Sequence, residues 1–226
     1  ADPTEKNIQT ARAHVLTPNK TPTPRYPSGA VLTGPGDARI VYLGMDVDSD
    51  ALVIGKGATL THYFRVEKPA ADGWKLFVHV DSPPDGAGRR NHFTADHVPI
   101  SGKYPVPRWQ AGEIIRDIHR VTLPPSWVGD KVQVLVGFWK GGSRFAVSGG
   151  KQDGQNRVIA ADLPVQGGAA PPPPRRLIVR KLAAGTKMNI DGKFDEPAWA
   201  EAASTGPFVN TMNGSPVPQA WSAKAL

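Results

Sequence analysis

Ala58-Thr59-Leu60-Thr61-His62-Tyr63-Phe64-Arg65-Val66-Glu67 alternates too regularly for a helix. Successive side chains of an extended chain point to opposite faces, so Leu60, His62, Phe64 and Val66 share one face, and Thr59, Thr61, Tyr63, Arg65 and Glu67 share the other. The following segment repeats the pattern. Trp74, Leu76, Val78 and Val80 fall together, with Lys75, Phe77, His79 and Asp81 opposite. Strands with one apolar and one mostly polar face belong to antiparallel sheets packed against a second layer.

The neighbouring segments extend this reading in both directions. Residues 39–48 form a β-rich run, and Gly55-Lys56-Gly57 is a turn before the alternating strand. Further strands are expected at residues 113–123, 131–139, 143–147 and 157–165, with Val132, Val134, Val136 and Phe138 directed inward. The result is about seven strands in about 130 residues, the count of an immunoglobulin-like antiparallel β-sandwich over residues 38–166. No long helical period appears, which argues against parallel α/β folds. The 24 Gly and 23 Pro supply the many turns that short strands need.

The chain has 226 residues, a net charge of +7 and no cysteine. Disulfides and thiolate metal sites are therefore excluded, as is thiol chemistry. The basic residues are scattered apart from the pairs Arg89-Arg90 and Arg175-Arg176, so no nucleic-acid face is expected. No apolar run reaches transmembrane length.

Both flanks differ from the sandwich. Residues 1–37 hold Pro3, Pro18, Pro22, Pro24, Pro27 and Pro35 with almost no apolar periodicity, and read as an extended arm or tether. Residues 167–176, with four consecutive prolines at Pro171–Pro174, read as a stiff polyproline linker. Beyond it, residues 177–226 contain Ile190-Asp191-Gly192-Lys193-Phe194-Asp195-Glu196-Pro197-Ala198-Trp199, followed by Gly206-Pro207-Phe208. This motif resembles the opening of carbohydrate-binding modules of family nine, which are β-sandwich domains of extracytoplasmic bacterial proteins. The resemblance implies an incomplete start of such a module, with its sugar-contacting aromatics outside the matching residues. The sandwich itself resembles β-sandwich modules of bacterial exported proteins, also found as tails on membrane glycosyltransferases. The residues that carry this second likeness are Thr61-His62-Tyr63-Phe64, Phe77-Val78-His79-Val80, Tyr104-Pro105-Val106-Pro107-Arg108-Trp109 and Gly112-Glu113-Ile114-Ile115-Arg116-Asp117. It implies a fold and an exported location more than an activity.

Candidate functional residues concentrate between Trp74 and Leu123, where a polar, Pro/Gly-rich excursion joins two strands. His79 and Asp81 point the same way from one strand, and His92, Asp96 and His97 follow in the loop, so these five, with His119 from a later strand, could form a divalent-metal site. The alternative is ordinary hydrogen bonding by neutral imidazoles. His62, on an apolar face, is expected to be a hydrogen-bonded core residue. Arg108 and Trp109, with Trp139 facing outward, could form an aromatic platform for sugars. Against that, the Tyr-Pro-x-Pro-Arg-Trp run reads as a structural corner in which Arg108 or Arg116 pairs with Asp96 or Asp117. No nucleophile elbow or phosphate loop is present. The expectation is a non-catalytic exported binding or scaffolding protein of the bacterial envelope, with glycans as the first ligand class and no bound cofactor. A metal-binding protein and a structural subunit that meets an envelope protein partner are the alternatives.

Overall fold

The computed structural model describes residues 10–11, 15–16, 20–84, 90–168, 181–189, 191, 193 and 195–200. The chain divides into two units, residues 1–83 with 91–171, and residues 84–90 with 172–226.

The first unit is all-β. Its strands are β1 (Tyr26–Gly34), β2 (Ala38–Val47), β3 (Leu52–Val53), β4 (Ala58–Lys68), β5 (Lys75–Asp81), β6 (His92–Thr94), β7 (Ile114–Val121), β8 (Lys131–Lys140), β9 (Ser143–Arg144), β10 (Ala146–Ser148) and β11 (Val158–Gln166). They form two sheets, ordered β10-β1-β2-β4-β7 and β3-β11-β8-β5-β6, with β9 hairpinned onto β8. Every pairing is antiparallel except β3 with β11.

The inward faces are the ones the alternation assigns. Leu60, His62, Phe64 and Val66 are at most 1% exposed, as are Val132, Val134, Val136 and Phe138. Phe64 and Phe138 meet across the sheets with ring centroids 5.7 Å apart, and Phe145 packs on Phe138 at 5.3 Å. Such aromatic contacts concentrate burial in few residues, which suits a sandwich of this size.

Three features depart from the sequence reading. Tyr26–Gly34 is not part of an arm but a strand, paired with β2 along its length and with β10 through Val31–Thr33. Pro27 is tolerated there because β10 does not reach it, so its missing N–H breaks no ladder on that side. Second, β2 contains a bulge between Tyr42 and Gly44, which resets the alternation so that both Tyr42 and Met45 are fully buried. Gly44 is required at this point. Its φ is +135°, and a Cβ would lie 2.2 Å from the Tyr26 carbonyl oxygen. Third, the outward face of β5 is only partly solvated: Phe77 is 1% and Asp81 6% exposed.

The excursion after β5 contributes edge strand β6, a turn at Pro99–Gly102 and a 3-10 turn at Val106–Arg108. Ile100, Tyr104, Val106 and Trp109 from this segment are buried in the common core. It therefore closes the sandwich beside β7, the edge strand of its sheet.

The second unit shows only local order among its described residues. Asp191 Oδ1 accepts the Lys193 N–H at 3.0 Å, Glu196 Oε1 accepts the Asn189 N–H at 2.8 Å, and a short helical turn spans Pro197–Ala200. The polyproline run, Ile190, Gly192 and Phe194 of the family-nine-like motif, and everything after Ala200 lie outside the described residues. No helix among the described residues is long and apolar enough to cross a membrane.

Candidate functional site

The polar residues singled out in the sequence fall into two separate clusters, one in each sheet. The first lies between the layers at the β7 edge. β2, β4 and β7 are neighbours, and the register sets Asp117 opposite His62 and His119 opposite Leu60. All of these side chains face inward. Tyr42 from β2 completes the row, and His97 enters from the loop above.

The hydrogen bonds define the protonation pattern. Tyr42 is fully buried and its hydroxyl lies 2.8 Å from His62 Nδ1, and the O–H is assigned as the donor because a buried hydroxyl proton needs an acceptor. His62 then carries its proton on Nε2 and donates it to His119 Nε2 at 3.1 Å. His97 differs. Its Nδ1 faces the Ala95 carbonyl oxygen at 2.9 Å and its Nε2 faces Asp117 Oδ2 at 2.7 Å, so both nitrogens must donate and the ring is an imidazolium. Asp117, fully buried, also accepts the Ile100 N–H through Oδ1 at 2.8 Å. That bond holds Ile100 and Ser101 at φ of +53° and +54°, a left-handed pair that β-branched Ile100 would otherwise avoid.

The proton affinities follow from the same geometry. Burial, and then the neighbouring imidazoles, push His62 down to about 3. Burial and the His97 charge push His119 down to about 4. For His97 burial opposes the charge, but the Asp117 hydrogen bond and charge outweigh it and its pKa rises above the ordinary histidine value. Asp117 shows the counterpart: burial opposes ionisation, yet the His97 contact holds its pKa below the usual carboxylate range. The cluster thus consists of one imidazolium–carboxylate pair and two neutral imidazoles. The His97 and His119 rings stack at 4.2 Å.

The second cluster lies on the outer face of β5. Asp81 is its centre. One oxygen accepts from His92 Nδ1 at 2.6 Å, and the other from Arg157 at 2.8 Å. Arg157 also bonds Asp153 at 2.6 Å and approaches His79 Nδ1 at 3.4 Å. A guanidinium therefore occupies the place that a metal would take among His79, Asp81 and His92. Asp96 Oδ1 is engaged by the Val78 N–H at 2.9 Å and stands 3.9 Å from His79 Nε2. His97 belongs to the other cluster. The five proposed ligands do not converge, and among the described residues no group of three or more His, Asp or Glu side chains is placed to hold a metal ion.

The proposed aromatic platform also separates. Trp109 is 2% exposed, packs on Phe64 and Phe138, and donates its indole N–H to the Tyr104 carbonyl oxygen at 3.0 Å. It is a corner residue of the core, while Arg108 beside it is exposed. Where an arginine is expected, Asp117 meets His97 and Asp96 meets the Val78 backbone.

Trp139 lies at a cleft. This depression of about 510 Å3 on the outer face of the β5–β8–β9 region is lined by Phe77, His79, Asp96, Trp139, Arg144 and Asn156, among others. Two sequence features create it. Gly137, opposite Phe77 in the register, has no side chain, and a Cβ there would lie 2.5 Å from the Phe77 ring, so Phe77 lies flat across β8 as a floor. The Gly141-Gly142 turn then folds β9 back beside Trp139, setting Arg144 opposite it. Phe77, Arg144 and Asn156 carry no sequence pattern that marks them as site residues; only the three-dimensional pairing brings them together.

No protein-family model and no curated protein sequence matches this chain.

Proposed function

We propose that the chain is a non-catalytic, exported binding module of the bacterial envelope, and that the cleft on the outer face of β5, β8 and β9 is its ligand site, with glycans as the ligand class. The observation that carries this reading is the cleft itself: about 510 Å3, walled by half-buried Trp139 and edged by His79, Asp96, Arg144 and Asn156. An aromatic wall beside a few polar side chains suits a sugar, which has apolar ring faces and a rim of hydroxyls. The resemblance to exported β-sandwich modules and to the opening of family-nine carbohydrate-binding modules supports the same class and location.

An immunoglobulin-like form of the sandwich is part of the proposal. The chain crosses sheets between β4 and β5, returns between β6 and β7, and crosses again between β7 and β8, with β5, β8 and β11 adjacent in one sheet. These crossovers suit a Greek-key sandwich.

The test is isothermal titration of the full chain against a panel of soluble polysaccharides, with wild type and Trp139→Ala compared. Binding that falls by about tenfold or more in the variant supports the assignment. Undiminished binding in the variant, or no binding to any glycan, would remove it.

A further inference from the structure

We infer that the cleft selects an acidic glycan, one that carries carboxylates as uronic-acid polymers do, and that Arg144 takes the carboxylate. This rests on the glycan reading of the cleft given above.

Arg144 is the distinctive residue. Its guanidinium lies over the Phe77 ring at 5.2 Å, and one nitrogen donates to the Gln155 carbonyl oxygen at 2.9 Å. Those two contacts fix its plane while leaving donors unused, and no carboxylate lies against it among the described residues. Several other arginines of the unit meet acids. Arg157 on the same face is paired with Asp81 and Asp153, and Arg25, Arg39 and Arg65 each meet an acid. A planar guanidinium held in place at a cleft, without a counter-ion, has the fork geometry that binds a carboxylate through two parallel hydrogen bonds.

The rest of the lining is rich in donors. Arg157 approaches Nδ1 of His79, which leaves the proton of that neutral ring on Nε2, the atom nearer Asp96. Asn156 uses its oxygen to accept the Val147 N–H at 3.2 Å, which leaves its NH2 group available. The carboxylate in the lining, Asp96, stands with His79 and Thr94, which pair across β5 and β6. Trp139 pairs with Arg144 on one side and Lys75 on the other. Lys75 and His79 are four residues apart on β5, about 13 Å along the strand. The lining thus carries the Arg144 guanidinium over Phe77, whose ring lies 4.7 Å from that of His79, and an acceptor at Asp96. A uronic-acid residue would seat its carboxylate at the first, and hydroxyls of the chain would reach the second.

The experiment titrates polygalacturonate and neutral dextran into the full chain at physiological ionic strength, using wild type, Arg144→Gln and Lys131→Gln. Lys131 begins β8, at the far end from Trp139, so its replacement removes the same charge away from the cleft. Wild type is expected to bind polygalacturonate at least about tenfold more tightly than dextran. Arg144→Gln should lose that preference, while Lys131→Gln retains it. Equal losses in the two variants would mean attraction by the net charge alone and would overturn the inference. Equal binding of both polymers, unchanged in Arg144→Gln, would overturn it while leaving the glycan reading intact. Binding of neither polymer, with none in the wider polysaccharide panel, would overturn both.

Discussion

Acidification should unfold this protein through the buried cluster at the β7 edge, and the effect can be sized from the structure. His62 and His119 have folded-state pKa values of about 3 and about 4, against an ordinary value of 6.5. A histidine depressed in this way contributes stability that is full above its unfolded pKa and is lost as pH falls below it, because the unfolded chain binds the proton first. Between pH 6.5 and about 4 the unfolded state takes up nearly two more protons than the folded one. The slope of stability with pH then approaches about 2.7 kcal/mol per unit. For His119 alone, a drop from 6.5 to about 4 integrates to about 3 kcal/mol. His62 adds a similar amount, less than additively because the two share the 3.1 Å contact. The sum is comparable with the whole stability of a typical domain. His97 acts with the opposite sign: its raised pKa contributes stability that is complete below 6.5 and lost as pH rises through the folded value. Asp117, held below its ordinary value, loses its contribution only at more acid pH, below about 4. The groups that face one another here are Tyr42, His62, His97, Asp117 and His119, drawn from three strands and the loop. From this cluster, stability should still be rising at pH 6.5, where the three half-titrated histidines of the unfolded chain bind more protons than His97 does in the folded one, and should peak above that pH. Urea denaturation followed by tryptophan fluorescence at half-unit steps from pH 8 to 4 measures the profile, and His119→Gln should flatten its acid limb by about half. An acid limb without slope, or imidazole NMR titrations placing His62 and His119 near 6.5, would refute the assignment.

Three substitutions test the rest of the framework. Arg157→Met leaves Asp81 buried without its guanidinium and should cost about 3–5 kcal/mol in chemical denaturation, with wild-type-like stability arguing against the pair as drawn. Gly44→Ala forces a side chain onto the Tyr26 carbonyl at a left-handed φ and should lower stability by about 2–3 kcal/mol, read from the shift in denaturation midpoint. Phe138→Ala empties the contact with Phe64, Trp109 and Phe145, and should cost about 3–5 kcal/mol or abolish cooperative unfolding.

Much of the sandwich was legible because burial imposes a period. Leu60, His62, Phe64 and Val66 could be assigned inward from spacing alone, since a slip of one residue would expose all four. His62 was legible as a core residue for the same reason. Tyr26–Gly34 was not, because Pro27, Ser28 and Gly29 carry no alternation and its pairing is set by the bulge at Gly44 in the partner strand. The candidate site was harder to read. His79, His92, Asp96 and His97 are close in sequence, yet β7 captures His97 through Asp117 while β5 and Arg157 capture His79 and His92. The decisive partners, Asp117 on β7 and Arg157 just before β11, come from later in the chain, and sequence spacing carries no information about them. Trp109 and Trp139 look equivalent in sequence, but adjacent strand positions face opposite ways. Trp109 packs against inward Phe138, and Trp139, the next residue, faces out.

Binding at the outer face of β5, β8 and β9 is tested most directly by amide chemical-shift mapping on addition of a uronic-acid oligosaccharide. Shifts should concentrate at residues 75–79, 139–144 and 156, with the buried cluster around His62 unperturbed. Shifts confined to β7 and the 97–109 loop, or no shifts at saturating oligosaccharide, would contradict it.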